Sequence, residues 1–568
     1  MVMFESNIQK HNISFDYFYP VTNKEIATHF NLLAKVMELH DENQFKIRSY
    51  ANASINLKKL DTPLASMTLD ELQGLKGVGE AIADKIQSLV NTGKIPTLVK
   101  YLAKTPPGVV EMLKINGLGP KKVALLWKEY GFESPGELLY ACNENRLVEL
   151  KGFGLKSQES IAQAIEFLQS AEGKYIHSKI EAQGESIIKL IREKHPDSNT
   201  EITGEWRRGI QELQKLELIT TCTKADLEIV FSEEDFQWKK DVSSHEYAGL
   251  WKEYLPAYIF HSDKPGWNKN LYNTTGPQPF IKKYHWKADL DNEKELFKEY
   301  KLPYLSPELR DIEKIDEKSV SFVNSLIEAK DIRGTIHNHS TYSDGIHSLE
   351  EMADAAKKSG YEYFVITDHS QSSVLARGLK PDELHKQWHE IDKLNEKHTE
   401  FKILKGIECD ILSHGDLDYD EDILKQFDLI IASIHIAFQM DIEKATSRMI
   451  KAIENPYTNI IGHPTGRLIL SREGYPLNFP KIIDACRENQ VAIELNANPL
   501  RLDIDYSILN QCIDKGVFIA INPDAHNRTA LQDTKYGIKA ARKGLLPKEL
   551  CLNTLSARDL LRFCRKNI

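Results

Sequence analysis

The sequence predicts a multidomain protein: a helical front half, a small mixed α/β middle and, at the back, a barrel of parallel strands alternating with helices. Three observations carry this. At 568 residues the chain is too long for one core. Apolar residues recur at helical spacing through the front of the chain, and β-formers take over from about residue 200. In the last 240 or so residues, seven short apolar runs each end in a polar residue, with helix-like stretches between most of them.

Residues 21 to about 175 read as helices, with Ile26, Phe30, Leu33, Val36 and Met37 on one face. Three segments punctuate them: Leu75-Lys76-Gly77-Val78-Gly79, Ile115-Asn116-Gly117-Leu118-Gly119 and Leu150-Lys151-Gly152-Phe153-Gly154. Each precedes a helix-like stretch, which is the helix-hairpin-helix pattern. The glycines let the turn bring backbone amides against a phosphate, and the following helix adds its positive amino end. Such contacts fix position on DNA without reading its sequence. Lys121, Lys122 and Lys156 follow the second and third turns and add charge. A tight packing turn explains any one of the three equally well; three in one helical region favour DNA.

Further on, residues 216–221 and 227–231 read as strands, and 261–285 as loops or a short irregular domain. Residues 306–330 read as a partly helical connector, and the barrel begins near Asp331.

A net charge of −10 excludes a chain coated in basic charge but leaves room for a local basic patch. The first 175 residues are roughly neutral, so the acidity lies downstream. Seven cysteines without paired short spacing read as reduced thiols. The start of the chain lacks the basic-then-apolar pattern of a signal peptide, and no apolar run has the length of a membrane span. The expectation is a cytoplasmic monomer with no membrane partner.

Six of the seven apolar runs end in a metal-ligand type: His339, His369, Glu408, His435, His463 and His526. The other ends at Asn496, after Glu494. Residues two apart on a strand face the same side, so His337 and His339 can grip one cation together, and so can Asp524 and His526. Imidazole and carboxylate suit Mn²⁺, Zn²⁺ or Fe²⁺, and no cysteine lies in these runs to demand a thiolate site. Clustered cations acidify a water and neutralise phosphate oxygens, which is the chemistry of phosphoester cleavage. Arg467 offers a forked phosphate donor, or else a surface salt bridge.

The strings His337-Asn338-His339-Ser340-Thr341-Tyr342-Ser343-Asp344-Gly345, Ile366-Thr367-Asp368-His369-Ser370, Gly406-Ile407-Glu408, Ala432-Ser433-Ile434-His435, Gly462-His463-Pro464-Thr465-Gly466-Arg467 and Asp524-Ala525-His526 resemble the polymerase-and-histidinol-phosphatase (PHP) domain. They are most similar to the version fused to bacterial family-X DNA polymerases. The resemblance implies a distorted seven-stranded (β/α)7 barrel with three divalent ions, Mn²⁺ or Zn²⁺, with Fe²⁺ also compatible. It implies one ion on His337, His339, Glu408 and Asp524, a second on Glu408, His435 and His463, and a third on Asp344, His369 and His526. Asp368 would support the centre by orienting its neighbour.

The front half resembles the amino-terminal and fingers domains of the same polymerases. Lys85 matches the family's Schiff-base lysine, and Lys46 and Tyr50 match its 5′-phosphate contacts. A lysine attacks an aldehyde only when deprotonated, so Lys85 can equally be a phosphate contact or a solvated side chain. The family's palm needs Gly-Ser, Arg-Arg-Gly and Gly-Asp-x-Asp; this chain has Gly204-Glu205, Arg207-Arg208-Gly209 and then Lys215 and Glu217 where the two aspartates belong. A lysine brings positive charge to a place where dications must sit. The resemblance therefore implies a degenerate palm. Asp226 and Glu228 offer another carboxylate pair, read here as capping a strand.

The expected organisation is an amino-terminal helical domain (1–90), a fingers-like helical domain (91–175), a nucleotidyltransferase-like palm (176–260), a thumb-like region and linker (261–315) and a PHP domain (325–568). The expected function is 3′-5′ exonuclease or related phosphoesterase action on gapped, nicked or 3′-ended DNA in repair, with polymerase activity lost. The rivals are a small-molecule phosphatase of the histidinol-phosphatase type, an active gap-filling polymerase and a non-enzymatic DNA scaffold.

Overall fold

The structure is a computed structural model that describes residues 21–565 apart from 61, 172, 233, 235, 241, 253, 288–289, 312–319, 321–322 and 399. It divides into two compact units, Met1–Pro135 and Gly136–Ile568.

The first unit is helical as expected. Thr22 and Glu25 form a capping box that starts the helix Asn23–Leu39. Ile26, Phe30, Leu33 and Met37 of that helix share a core with Ile82, Ile86 and Leu89 of the helix Glu80–Thr92. Two short helices, Leu69–Gln73 and Pro107–Met112, precede the first two glycine turns. The helices Glu80–Thr92 and Pro120–Lys128 follow them.

The second unit opens with the third hairpin: the helix Pro135–Asn143, a 3₁₀ turn at Leu147–Glu149, the glycine turn and the helix Leu155–Ala171. A central α/β region follows. Strands β1 (Tyr175–Ile176) and β3 (Glu212–Leu213) pair with each other. Strands β2 (Thr200–Ile202), β4 (Leu216–Thr220), β5 (Phe236–Trp238), β6 (Glu246–Trp251) and β7 (Leu255–His261) form a mixed sheet in the order β2-β4-β7-β6-β5.

Two expectations for this region fail. Residues 227–231 are not a strand: Lys224–Val230 is a helix, because Thr223 and Asp226 make a reciprocal capping box that overrides the β-formers behind it. Asp226 thus caps a helix. The stretch 261–285 is not loop either; it contains the helices Trp267–Thr275 and Gln278–Lys283. Tyr272, Phe280 and Tyr284 bury these against Phe297 and Leu305. Much of the expected connector, 312–319 and 321–322, lies outside the described residues.

The barrel strands are β8 (Gly334–Thr335), β9 (Tyr363–Ile366), β10 (Lys402–Asp410), β11 (Leu429–Ser433), β12 (Ile460–Ile461), β13 (Ala492–Asn496) and β14 (Ile519–Asn522). They pair in chain order, all in parallel. The ring closes just past the strands, where His339 N donates to Ala525 O at 2.9 Å and Ala525 N to His337 O at 3.2 Å. Alternate residues enter two cores. Tyr363, Val365, Leu429 and Ile431 face the inner one. Phe364, Ile366, Ile430 and Ala432 face the surrounding helices. Leu560 and Phe563 of the helix Ala557–Cys564 join the inner core. Asn459, just before β12, donates to Cys564 O at 2.9 Å, so this helix stoppers the amino ends of the strands.

His177 gives the second unit an acid-sensitive point. It is buried, its Nδ1 bonds Ile210 O at 3.0 Å, and its Nε2 has no hydrogen-bond partner. Burial first, then the Lys539 ammonium, push the imidazole down to about 4, against Glu181. The unfolded chain takes up this proton near pH 6.5. The contribution to stability is therefore complete above that pH and is lost as pH falls towards 4, by ~3 kcal/mol at most. Thermal melts of His177→Gln should show a smaller fall in melting temperature between pH 6.5 and 4 than the parent shows. Equal falls in both would remove His177 as a contributor.

Candidate metal centre

All nine residues expected to be ligands meet at the carboxyl ends of the barrel strands. Glu408, on β10, is the hub. Its Oε1 lies 2.9 Å from His463 Nε2, 3.1 Å from His435 Nε2 and 3.2 Å from His337 Nε2. Its Oε2 lies 2.9 Å from His369 Nδ1 and 3.6 Å from His339 Nε2. Asp524 Oδ1 lies 3.2 and 3.4 Å from the Nε2 atoms of His339 and His337. Asp344 lies 3.4 Å from His369 Nε2 and 3.3 Å from His526 Nε2.

Strand alternation does not produce this convergence. His337 and Asp524 sit beyond the last residues of β8 and β14, with φ of +63° and +52°, and His463 has φ +24°. These non-glycine residues hold the left-handed conformation that turns their side chains into the cluster. A two-residue period singled out residues that do converge, but the backbone turns, not the period, bring them together.

The donor set fits divalent cations. His337 Nε2, both ring nitrogens of His339, His369 Nδ1, Glu408 Oε2, His463 Nδ1 and His526 Nε2 are buried without a hydrogen-bond partner. Each such atom costs about 1–3 kcal/mol unless something else satisfies it. The electrostatics agree. Burial raises a carboxylate, yet the surrounding imidazoles outweigh it and hold Asp344, Glu408 and Asp524 well below the usual range. Burial, then neighbouring His526 and His369, push His339 down to about 3, leaving it neutral and ready to ligate.

A second layer of carboxylates orients the imidazoles. Glu494 accepts from His337 Nδ1 at 2.6 Å, His463 N at 2.7 Å and Asn522 Nδ2 at 2.8 Å. Asp410 takes His435 Nδ1, and Glu144 takes His526 Nδ1. Glu494 was placed on this face from sequence without a role. Asp410 and Glu144 carried no sequence signal, since neither lies in a recognisable motif.

Two supporting residues behave otherwise than expected. Asp368 does not orient His369. Its carboxylate accepts from Ser340 N and Oγ at 2.7 Å, Ser343 Oγ at 2.5 Å and Gln387 Nε2 at 2.7 Å, so it clamps the loop that carries Asp344. Arg467 is not free for a phosphate. Nη1 is 2.7 Å from Asp505, Nε 2.9 Å from Arg501 O, and Nη2 bonds Leu502 O and Gln211.

Sequence comparison matches the PHP domain family to residues 335–498, a helix-hairpin-helix domain to 21–95 and a SAM-like helix-hairpin-helix tandem to 109–166. The chain is 34% identical over 578 residues to the DNA polymerase/3'-5' exonuclease PolX of Bacillus subtilis (strain 168), covering 96% of this chain and 99% of that one. The chain belongs to the PolX family. It is also similar to proteins named "Probable phosphatase" from Thermoanaerobacter sp. (strain X514) and Acetivibrio thermocellus, at 32% and 29% identity. Those matches cover 38% of this chain and 89% of each relative. The PHP domain of this PolX-family chain is a metal-dependent module whose histidine and acidic clusters can hold metal ions. Its helix-hairpin-helix domains mark the chain as DNA-binding. Among the described residues, no helix is long and apolar enough to cross a membrane.

The DNA-type turns have a common geometry. Gly77, Gly117 and Gly152 take φ of +86°, +87° and +90°, which only glycine adopts without strain. Gly79, Gly119 and Gly154 do not, and a Cβ on any of them would meet nothing within 4 Å. Internal packing does not explain these second glycines. No side chain caps the first amides of Glu80–Thr92 or Pro120–Lys128, which leaves them for an anion. Lys121 is exposed and Lys122 half-buried. On the neighbouring helix Gln44–Leu57, Lys46 is exposed, and the Lys85 ammonium lies 5.4 Å from the Tyr50 ring.

In the palm-like sheet, the altered positions bond to one another. Glu217 Oε1 is 2.8 Å from Lys215 Nζ, and Oε2 accepts from Glu205 N at 2.9 Å. A Cβ on Gly204, whose φ is +62°, would meet the Glu217 carboxylate at 2.0 Å. Arg208 holds Asp311 at 2.8 Å and Thr275 O at 2.6 Å.

Glu494→Gln keeps the side chain's shape but removes the charge that orients the His337 imidazole and holds the His463 backbone amide. We expect about a 10–100-fold loss of Mn²⁺ affinity, read by equilibrium dialysis. Parental affinity would show that Glu494 does not tune the centre.

Proposed function

We propose that this PolX-family protein is a DNA-binding, metal-dependent 3′-5′ exonuclease or related phosphoesterase acting in DNA repair. One observation carries the reading: nine ligand-type side chains converge around Glu408 in a chain that also bears three glycine turns built for phosphate approach. The nine would hold three ions, Mn²⁺ or Zn²⁺ with Fe²⁺ also compatible: one on His337, His339, Glu408 and Asp524, one on Glu408, His435 and His463, and one on Asp344, His369 and His526. Bound there, divalent cations would supply an acidified water and neutralise charge on the phosphate oxygens. The chain's own residues do the rest. Glu494, Asp410 and Glu144 fix the imidazole orientations, Asp368 sets the Asp344 loop, and the helix-hairpin-helix turns hold the strand. The domain limits given above frame this division of labour. Gapped, nicked or 3′-ended DNA is the substrate, and the protein acts as a cytoplasmic monomer.

The relatives named as phosphatases favour a second reading, in which the same barrel hydrolyses a small phosphomonoester. They correspond to 38% of this chain, and the rest carries the DNA-type turns, which that reading leaves unused. The reading also includes loss of polymerase activity: Lys215 places its ammonium on Glu217 where the family's palm needs carboxylates free for dications.

His339→Ala and Glu408→Ala should each lower Mn²⁺-dependent degradation of 3′-ended DNA by at least about 10³-fold, while DNA affinity by gel shift stays within about threefold. Retained cleavage would move the active site elsewhere. Histidinol phosphate turned over with DNA left intact would transfer the case to the phosphatase. Separately, primer extension on gapped DNA with Mg²⁺ or Mn²⁺ should give no templated product, and robust extension would restore the polymerase.

A further inference from the structure

One wall of the metal centre does not come from the barrel. The helix Pro135–Asn143 and the turn behind it place Tyr140, Glu144 and Arg146 among the candidate ligands. Arg146 Nε donates to Asp344 Oδ2 at 2.7 Å, and its Nη2 lies 3.1 Å from His369 Nε2. Tyr140 donates to Asp524 Oδ2 at 3.3 Å and accepts from Arg501 Nε at 3.1 Å. The two guanidiniums lie 5.8 and 4.3 Å from the Tyr140 ring centroid. Arg501 is buried at 4% exposure, and its Nη1 has no hydrogen-bond partner.

We propose that this hairpin completes the phosphoesterase centre: Arg146 and Arg501, arranged around Tyr140, form a subsite for the substrate phosphate, and Glu144 is a positioning residue for His526. The inference rests on the exonuclease reading and names how that site grips its substrate.

The chemistry follows from donor counting. Arg146 commits only Nε and Nη2 within the protein. Its Nη1, together with the orphaned Nη1 of Arg501, offers N–H donors from two sides beside Asp344 and Asp524, where anionic oxygens would come to meet cations on those carboxylates. A buried guanidinium nitrogen without a partner is costly, and an anionic oxygen is the partner that suits it. Glu144 adds a different effect. Its carboxylate pairs with His526 Nδ1, which also bonds Asp524 O at 3.0 Å, and the ring is held with Nε2 turned towards Asp344.

The same hairpin links gripping to cutting. Its glycine turn, Leu150-Lys151-Gly152-Phe153-Gly154, begins four residues after Arg146, and Lys151, Gly152, Gly154 and Lys156 are exposed. A strand whose backbone phosphate rests on that turn is held by the element that reaches into the metal centre. The barrel alone would lack both the second arginine and the support of His526.

The test uses the full chain, with Mn²⁺ titrated by calorimetry, a 3′-labelled single strand as substrate and thymidine 5′-monophosphate as a competing phosphate. For Arg146→Ala we expect unchanged or tighter Mn²⁺ binding, at least tenfold lower kcat/KM on DNA and at least tenfold weaker inhibition by the monophosphate. Arg146→Lys should recover this only in part, because one ammonium cannot keep the Asp344 and His369 contacts and also reach the phosphate. For Glu144→Gln we expect weaker Mn²⁺ binding instead, with Glu144→Asp recovering part of it. Parental cleavage and inhibition in Arg146→Ala would overturn the subsite, as would a loss of Mn²⁺ in step with activity. Parental Mn²⁺ binding in Glu144→Gln would overturn its positioning role. A parent protein that binds Mn²⁺ but leaves DNA intact would end the exonuclease reading and this inference with it; an active parent matched by Arg146→Ala would end this inference alone.

Discussion

The arrangement depends on one carboxylate, Glu408, which stands within 3.6 Å of five imidazoles. A buried anion in that position needs compensating positive charge. Some of the imidazoles supply it, drawn up by neighbouring carboxylates, while His339 and His463 stay neutral because burial dominates. His369 is held at about 9 because Asp344 and Glu408 overcome its burial. A site that mixes charged and neutral imidazoles around three acids is poised for cations, because dications can take the place of the protons and leave all the rings as ligands. The barrel serves this need. Its strands are short where the cluster sits, its closure runs through the backbone of His337, His339 and Ala525, and a helix seals the opposite end.

The sequence revealed much of this because the ligand-type residues stand at or just behind β-forming runs that are hard to mistake. It could not reveal how they turn inward. His337, His463 and Asp524 rely on left-handed backbone that no local composition signalled. The middle of the chain was less legible for a similar reason. The residues at 227–231 are β-formers, but a four-residue box at Thr223 decided for helix. Supporting residues were hardest to read. Asp410, Glu144 and Arg501 act only through a fold that brings distant segments together, and Arg467, which sits in a recognisable motif, is spent on Asp505 and backbone carbonyls.

In the sheet β2-β4-β7-β6-β5, the residues at the expected palm positions bond to one another. Lys215 and Glu217 neutralise each other at the start of β4, and Glu217 also accepts the amide of Glu205. Arg207 and Arg208, from the intact Arg-Arg-Gly string, tie this region to Glu293, Asp311 and the carbonyl of Thr275. Burial favours the neutral form of Glu293, yet Arg310 and Arg207 outweigh it and hold the acid at about 2. The arginines have thereby become braces between the sheet and the helices after it.

Aspartates at 215 and 217 would not fit this arrangement as it stands. Gly204 is held at φ +62° with the Glu217 carboxylate where its Cβ would otherwise lie. An aspartate at 217 is one methylene shorter and would withdraw its carboxylate from the half-buried Glu205 amide, losing that hydrogen bond at a cost of about 1 kcal/mol. An aspartate at 215 would then place a second negative charge beside the first with no ammonium to offset it. Only tightly bound dications could repay both costs. The present pair removes the need for metal at this end of the chain, while the barrel concentrates that need at the other.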